Sequence, residues 1–154
     1  MRSKGSRLFG FLLVLSLLPA VLFAEGVAEV ANDGTLTLES GKQVYLVGLQ
    51  MDSDGVSVLR VLTRKQDLKL QLIKSPTPGG REAAYAYLQA KYVKFPVKPN
   101  GVPDEEEVLL NEFLLKTGAA KVAEDQEFGR KADFLKIQEE AKAKGEGVWS
   151  YEVP

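Results

Sequence analysis

Residues 34–49 read GTLTLESGKQVYLVGL, and this stretch decides the fold. Its leucines and valines stand at alternate positions on both sides of a central Ser-Gly-Lys turn. Alternation with a period of two is typical of a β-strand that has one buried face. A second group of turn residues, Asn-Asp-Gly, precedes the stretch at 32–34. The pattern therefore predicts a β-meander over residues 26–49.

The segments that follow the meander change from a helical to a strand pattern. Residues 52–65 carry apolar side chains at helical spacing, and Ser53 or Asp54 stands where an N-cap is expected. Residues 67–73 and 83–88 alternate again, on either side of a loop rich in proline and glycine. They predict two further strands that pair as a hairpin.

The last third of the chain predicts two helices. Residues 89–103 are rich in proline and lysine, and they predict a loop or a marginal strand. Residues 104–117 predict a helix, because an acidic run suits the positive end of the helix dipole and Gly118 provides a stop. A final helix is expected over residues 126–144, ended by Gly145.

The order of elements indicates one small barrel domain. Short strands with a helix between the third and the fourth are typical of the OB type of closed barrel. The expected fold class is α+β, mainly β, with a five-stranded barrel and three helices. A chain of this length buries one core, so a single domain is expected over residues 27–150.

The first 24 residues have the plan of a secretory signal peptide. Three basic residues precede an uncharged apolar run at 8–24. A transmembrane anchor is the alternative, but it needs roughly 20 apolar residues, and this run is shorter and ends in small residues. We therefore expect cleavage after Ala24 or Gly26, a secreted or periplasmic protein, and no membrane span in the mature chain.

Composition narrows the chemistry of the mature protein. Without the three basic residues of the signal, the 20 Lys and Arg become 17 against 21 Asp and Glu, a net charge near −4. That overall sign does not favour a polyanionic partner. The sequence has no cysteine and no histidine. Thiol nucleophiles, Cys- or His-ligated metals and Ser-His-Asp triads are therefore excluded.

Four separated stretches carry a resemblance to a known family. They are residues 34–49, the Gly-Arg pair that precedes AYAY at 84–87, LNEFLL at 110–115 followed by GAAKV at 118–122, and QEEAK at 138–142 followed by a Gly-x-Trp ending at Trp149. In this order and spacing they resemble the staphylococcal nuclease-like (thermonuclease) family, across the whole expected domain. The resemblance implies the same OB-fold barrel with three helices.

The resemblance also implies a catalytic site, which this chain departs from. Active members hydrolyse phosphodiesters of nucleic acids with one Ca²⁺, two Asp ligands, a Glu that activates water and two Arg that hold the phosphate. Ca²⁺ requires hard anionic oxygens, and guanidinium groups take up the charge of the transition state. Here the two ligand positions hold Gly34 and Gln50, the general-base position holds Ser53, and one arginine position holds Tyr45. Only Arg81 matches.

Three carboxylates near the replaced positions are candidates for a rebuilt site: Asp33, Asp52 and Asp54. A one-residue shift in register brings Asp33 near, but strand alternation predicts that its side chain points to the opposite face. Asp52 and Asp54 are interpreted first as capping residues. Arg81, without its family partners, is interpreted as a solvated charge at the start of a strand.

Candidate binding residues are Tyr85, Lys91 and Lys94. Tyr85 and Tyr45 are interpreted first as aromatics of the barrel rather than as base-stacking platforms. The two lysines belong to residues 89–103, a segment longer than the family's usual connection. Their simplest interpretation is a soluble, exposed loop.

The residues and the resemblance together predict an exported, catalytically degenerate domain that acts as a binding module. We expect a monomer whose partner is an unknown envelope protein or nucleic acid, with no cofactor and no metal. The alternative is a nuclease with a rebuilt active site, and only that alternative needs Ca²⁺. A third hypothesis places an interaction with an envelope protein on residues 89–103.

Overall fold

The computed structural model describes residues 22–73, 81–92 and 106–151. Eight strands and three helices are defined within these residues. The strands are β1 Leu22–Val30, β2 Leu36–Leu38, β3 Gln43–Leu46, β4 Leu49–Gln50, β5 Asp67–Ile73, β6 Glu82–Gln89, β7 Glu107–Leu109 and β8 Lys121–Val122. The helices are α1 Ser53–Thr63, α2 Leu110–Lys116 and α3 Lys131–Lys144.

Five of the strands close into a barrel. β1 pairs antiparallel with β2 and with β5, β2 pairs with β3, and β5 pairs with β6. A parallel pairing of β3 with β6, in which Tyr45 lies opposite Ala83, closes the ring. Closure removes the open edges that an unrolled sheet would expose. The predicted α+β fold, a five-stranded OB-type barrel with three helices, is confirmed.

The barrel interior is filled by the side chains that the alternation assigned to it. On β2, Leu36 and Leu38 are buried while the residue between them is partly exposed. On β5, Leu68 and Leu70 are both fully buried. Burial of one leucine side chain is worth roughly 1.5–3 kcal/mol. The apolar residues at alternate positions of these strands are therefore the ones that form the hydrophobic core.

The first strand begins earlier than the meander predicted from residues 26–49. β1 starts at Leu22, and Leu22–Gly26 pair with residues 67–71 of β5. The first three residues of β1 thus lie inside the segment 1–24 that was predicted as a signal peptide. Residues 1–21 lie outside the described part of the chain.

The helices are shorter at their starts than the sequence predicted. α2 begins at Leu110, not at residue 104, because Glu107–Leu109 instead extend the sheet by pairing with β6. The interpretation of this acidic run as a helix start is therefore wrong for Glu107, whose carboxylate lies 2.9 Å from the Lys69 ammonium. α3 begins at Lys131 and not at Gln126.

A buried asparagine fastens α2 to the barrel. The Asn111 side chain is fully buried and accepts a hydrogen bond from the Ala86 amide at 3.0 Å. Its Nδ2 donates to the carbonyl oxygens of Val47 at 3.1 Å and Ala84 at 3.3 Å. One amide thus satisfies backbone groups on both sides of the parallel junction that closes the barrel.

The lysine-rich segment 89–103 is described only at its start. Gln89 ends β6, and Ala90–Tyr92 form a single 3₁₀ turn. The rest of the segment, residues 93–103, lies outside the described part of the chain. Across the three described ranges, no helix combines the length and apolar character needed to cross a membrane.

Candidate functional site

Arg81 contacts a carboxylate instead of standing alone in solvent. Its Nη1 lies 2.9 Å from Oδ2 of Asp33 and donates to Oγ1 of Thr35 at 3.0 Å. The interpretation of Arg81 as a solvated charge is therefore wrong. The expectation that Asp33 points away is wrong as well. Asp33 lies in the turn before β2, so the alternation of strand side chains does not govern its direction.

The turn also holds Asp33 in its charged form. Oδ1 of Asp33 accepts a hydrogen bond from the backbone amide of Thr35 at 3.0 Å. That amide, then the Thr35 side chain and the Arg81 guanidinium, lower the pKa of Asp33 below its ordinary value. Asp33 is consequently an ionised carboxylate with three donor groups directed at it.

Gly34 stands where the resemblance implies a ligand carboxylate, and its conformation disfavours a side chain. The residue has a φ of +82°, a region that L-residues adopt at a cost. A Cβ at this position would lie 2.5 Å from Cε of Met51. A carboxylate at position 34 therefore requires both backbone strain and a displaced methionine.

Gln50 and Tyr45 differ in how far they are buried. Gln50 is exposed on β4, opposite Lys121 of β8. Tyr45 is partly buried and packs against the barrel core from β3. Of these two substituted positions, Gln50 faces a cavity and offers a neutral amide to it.

Of the two candidate carboxylates at the start of α1, Asp52 is engaged by the helix and Asp54 is exposed. Oδ1 of Asp52 caps α1 by accepting from the amides of Asp54 at 3.1 Å and Gly55 at 2.9 Å. The cap is thus Asp52, not Ser53, which is the first helical residue, and not Asp54, which lies exposed in the first turn. Such a cap stabilises a helix by about 1 kcal/mol.

Asp33 does not share a cavity with the carboxylates of α1. Asp33 lines one cleft, whereas Asp52 and Asp54 line another together with Gly118 and Tyr151. Within the described ranges, no three acidic side chains come together in a way that would hold a metal ion. The structure therefore does not bring the candidate carboxylates into one group.

The cleft that contains Asp33 is a sizeable cavity near the substituted positions. It has a volume of about 780 Å³, within the usual range for ligand sites. Its walls come from β4, β8, the loop after β8, α3 and the C-terminal 3₁₀ turn, and they are mainly polar. The lining residues are Asp33, Leu49, Gln50, Met51, Lys121, Val122, Ala123, Glu124, Asp125, Gln126, Gln138, Lys142 and Trp149.

Two lysines lie over the tryptophan at one end of this cleft. The Nζ atoms of Lys121 and Lys142 are 4.4 Å and 4.8 Å from the centroid of the Trp149 ring, which is 6% exposed. Each cation–π contact of this kind contributes about 0.5–1 kcal/mol. Sequence analysis found Trp149 only as a family ending and missed its lysine neighbours. Lys121, Lys142 and Trp149 are far apart in sequence, so no local sequence pattern indicates that they are in contact.

Two glutamines shape the floor of the cleft. Oε1 of Gln138 accepts from the Val122 amide at 2.7 Å, and Oε1 of Gln126 accepts from the Gly48 amide at 3.2 Å. These contacts tie α3 and the loop before it to the strands. Sequence analysis assigned no role to either residue, because an amide in a polar segment carries no distinctive signal.

Tyr85 and Lys91, the two candidate binding residues that the structure describes, are not among the residues that line this cleft. Tyr85 is only 7% exposed, packs edge-on against Phe134 at 6.2 Å, and has a pKa raised by burial. The interpretation of Tyr85 as a barrel aromatic is correct. Because its ring is buried, Tyr85 does not offer a surface on which a base could stack. Lys91 is exposed in the 3₁₀ turn after β6. Lys94 lies outside the described residues.

Comparison with known proteins finds a family match in the second half of the chain. None of the curated proteins matches the chain. A family model described as staphylococcal nuclease homologue matches residues 78–151. The match includes Arg81, Asn111 and Trp149, together with β6, α2 and α3, and the barrel that these elements complete has the expected OB-fold architecture. Over residues 78–151 the chain is therefore similar to staphylococcal nuclease homologues.

Proposed function

We propose that the chain is an exported staphylococcal nuclease-like domain that binds its ligand without Ca²⁺-dependent cleavage. The observation that carries the proposal is Gln50 on the wall of the cleft, at the position where the family resemblance implies a ligand carboxylate. A neutral amide oxygen supplies none of the anionic charge on which a Ca²⁺ site depends.

The other substitutions remove further parts of the reaction. Gly34 has no side chain, so the second ligand position offers no oxygen. Ser53 replaces the general base, and a hydroxyl does not accept a proton from water near neutral pH. Tyr45 replaces one phosphate-binding arginine and loses its positive charge. Metal binding, water activation and charge stabilisation are all weakened at once.

The alternative, a Ca²⁺-dependent nuclease with a rebuilt site, would need carboxylates that are already engaged. Asp33 is bound to Thr35 and Arg81, and Asp52 caps α1. Ca²⁺ ligands lie roughly 2.3–2.6 Å from the ion, so two of the candidate carboxylates would have to converge on one point. Asp33 lines one cavity and the carboxylates at the start of α1 line another, and this separation favours the binding module.

The proposed ligand is a single strand of nucleic acid that presents one or a few phosphates to the cleft. Asp33, and through it Arg81, borders the cleft, and Trp149 lies at its other end. The acidic balance of the mature chain opposes many phosphate contacts, so binding is expected to be weak and salt-dependent. An envelope protein remains the other expected partner.

Trp149 provides the measurement, because it is the only tryptophan in the sequence. We expect single-stranded DNA to change its fluorescence in a saturable way, and Lys121→Met to weaken the response. Tyr151→Ala is the matched control, because Tyr151 is exposed and lines the other cavity. A flat titration of the exported protein would contradict nucleic acid as the ligand and favour the envelope protein.

A further inference from the structure

We infer that Lys121, Lys142 and the indole N–H of Trp149 form a subsite for the terminal phosphate of a nucleic-acid strand. We call these three residues the tryptophan subsite. Through it, the cleft binds the end of a strand and not its middle. The inference rests on the proposed function, since it names the group of the nucleic acid that enters the same cleft.

The indole of Trp149 has a donor without an acceptor. Its Nε1 is buried, and no hydrogen-bond partner reaches it from the described part of the chain. Trp149 as a whole is only 6% exposed, yet it lines the cleft. Buried indole N–H groups usually have a partner, and this group can only donate. An oxyanion in the cleft can therefore supply the acceptor that the described residues do not.

Two ammonium groups supply positive charge at the same ring. The Nζ atoms of Lys121 and Lys142 lie 4.4 Å and 4.8 Å from the ring centroid, and both lysines line the cleft. The Lys142 ammonium also contacts Oε1 of Glu139 at 2.8 Å, but both side chains are exposed, so this ion pair is weak enough to exchange. Because Nε1 is covered, binding also requires the flexible lysine side chains over the ring to shift.

The other charges of the cleft limit it to one phosphate. Its described lining holds two ammonium groups and three carboxylates, and the carboxylates belong to the exposed residues Asp33, Glu124 and Asp125. A strand that crossed the whole cleft would bring further phosphates close to these like charges. A strand whose end enters at the tryptophan subsite brings one phosphate to the lysines and leaves its other phosphates in solvent.

A terminal phosphate suits the subsite better than an internal one. A phosphate monoester carries a charge of about −1.5 to −2 near neutral pH and has three strong acceptor oxygens, whereas an internal diester carries one charge. The two ammonium groups and the indole N–H are donors that these oxygens can use. The subsite is therefore expected to distinguish strands by the presence of a terminal phosphate.

The test is an NMR titration of the mature protein, in which the indole N–H of its single tryptophan gives one resonance. The ligands are one thymidine oligonucleotide with a 5′-phosphate, with a 3′-phosphate and with no terminal phosphate. We expect a phosphorylated strand to bind about tenfold more tightly than the unphosphorylated strand and to move the indole proton downfield. Equal affinities for all three strands would overturn the inference and leave nucleic-acid binding standing.

Variants of α3 assign the preference to the subsite. Lys142→Met should abolish the preference for a phosphorylated strand, whereas Lys142→Arg, which keeps the charge, should retain it. Lys144→Met is the matched control, because Lys144 is an exposed lysine of the same helix and is not among the described residues that line the cleft. A preference that survives Lys142→Met would overturn the inference.

Inorganic phosphate separates the inference from the proposed function. We expect it to move the same indole resonance in the wild type and not in Lys142→Met. This response, without binding of any oligonucleotide, would support the oxyanion subsite and contradict nucleic acid as its ligand. An indole resonance that does not respond to phosphate would overturn the subsite, whether or not the oligonucleotides bind.

Discussion

Arg81 and Asp33 are 48 positions apart in sequence, and their charged groups meet at 2.9 Å. Arg81 is the one residue that keeps its identity at the positions where the family resemblance implies catalysis. In this chain the guanidinium faces a carboxylate of its own protein. That contact gives Arg81 a partner within the chain, at a position where the resemblance implies phosphate binding.

Asp33→Asn is expected to lower stability at neutral pH and to have less effect in acid. Because Thr35 and Arg81 lower the pKa of folded Asp33, the carboxylate stabilises the folded state above its unfolded value of 3.8. This contribution is lost as the pH falls through the lower folded pKa. Since Asp33 is largely exposed, the difference at neutral pH is at most about 1 kcal/mol.

Urea unfolding of both proteins, at neutral pH and at a pH below the folded pKa, measures this difference. Asp54→Asn is the control, since Asp54 is also an exposed aspartate and lies in the first turn of α1. A stability difference for Asp33→Asn that is the same at both pH values would contradict the account of this ion pair.

Gly118→Ala is expected to destabilise the domain by more than about 1 kcal/mol. Gly118 has a φ of +65°, and a Cβ there would collide with the carbonyl oxygen of Glu146. Gly129→Ala is the control, because a Cβ at Gly129 meets no atom within 4 Å. Thermal unfolding compares the two variants, and an equal loss in both would show that the close approach of Gly118 to Glu146 is unimportant.

Asn111→Ala is expected to cost about 1–3 kcal/mol, because it leaves the buried amide of Ala86 without its acceptor. The loss should fall on the junction of β3 and β6, so exchange of the Ala86 amide hydrogen should speed up with the loss of stability. Asn32→Ala, at an exposed turn position, serves as the control. Retained protection of Ala86 in the Asn111 variant would contradict the role given to this side chain.

The two cleavage sites predicted for the signal peptide would leave different contacts in the folded domain. Oε1 of Glu25 accepts from the Ser40 amide at 2.6 Å, and the carbonyl of Gly26 accepts from the Glu39 amide at 3.0 Å. Cleavage after Gly26 removes both contacts, whereas cleavage after Ala24 keeps them. If the predicted signal is cleaved, intact-mass measurement of the mature protein is expected to give a chain that begins at Glu25. A chain beginning at Val27 would contradict this.

The barrel was predictable because its information is local. Alternating leucines and the two turns mark each strand of the meander within a few residues, and the proline-glycine loop separates β5 from β6. The start of α2 was not predictable from the sequence, because Glu107–Leu109 pair with a strand almost 20 positions earlier. An acidic run has the same local sequence pattern whether it forms the start of a helix or an edge strand of a sheet.

The substitutions at the candidate site rest on the family resemblance and stay a prediction, whereas its contacts were not predictable from the sequence. Gly34, Gln50 and Ser53 could be read directly against the family resemblance. The contact of Asp33 with Arg81 could not be predicted from the sequence. It depends on a turn that redirects the Asp33 side chain and on β6 passing close to β2 and β3. The lysines over Trp149 are likewise joined only by the fold.

The most direct test of the central claim is a cleavage assay with the purified exported protein. Single-stranded DNA is incubated with an excess of Ca²⁺, with a chelator added to a parallel sample, and an Arg81→Met variant is assayed beside the wild type. Because the family resemblance implies ligands and a base at the positions of Gln50, Gly34 and Ser53, the account predicts intact DNA in every sample. Cleavage that requires Ca²⁺, stops with the chelator and is lost in Arg81→Met would contradict it.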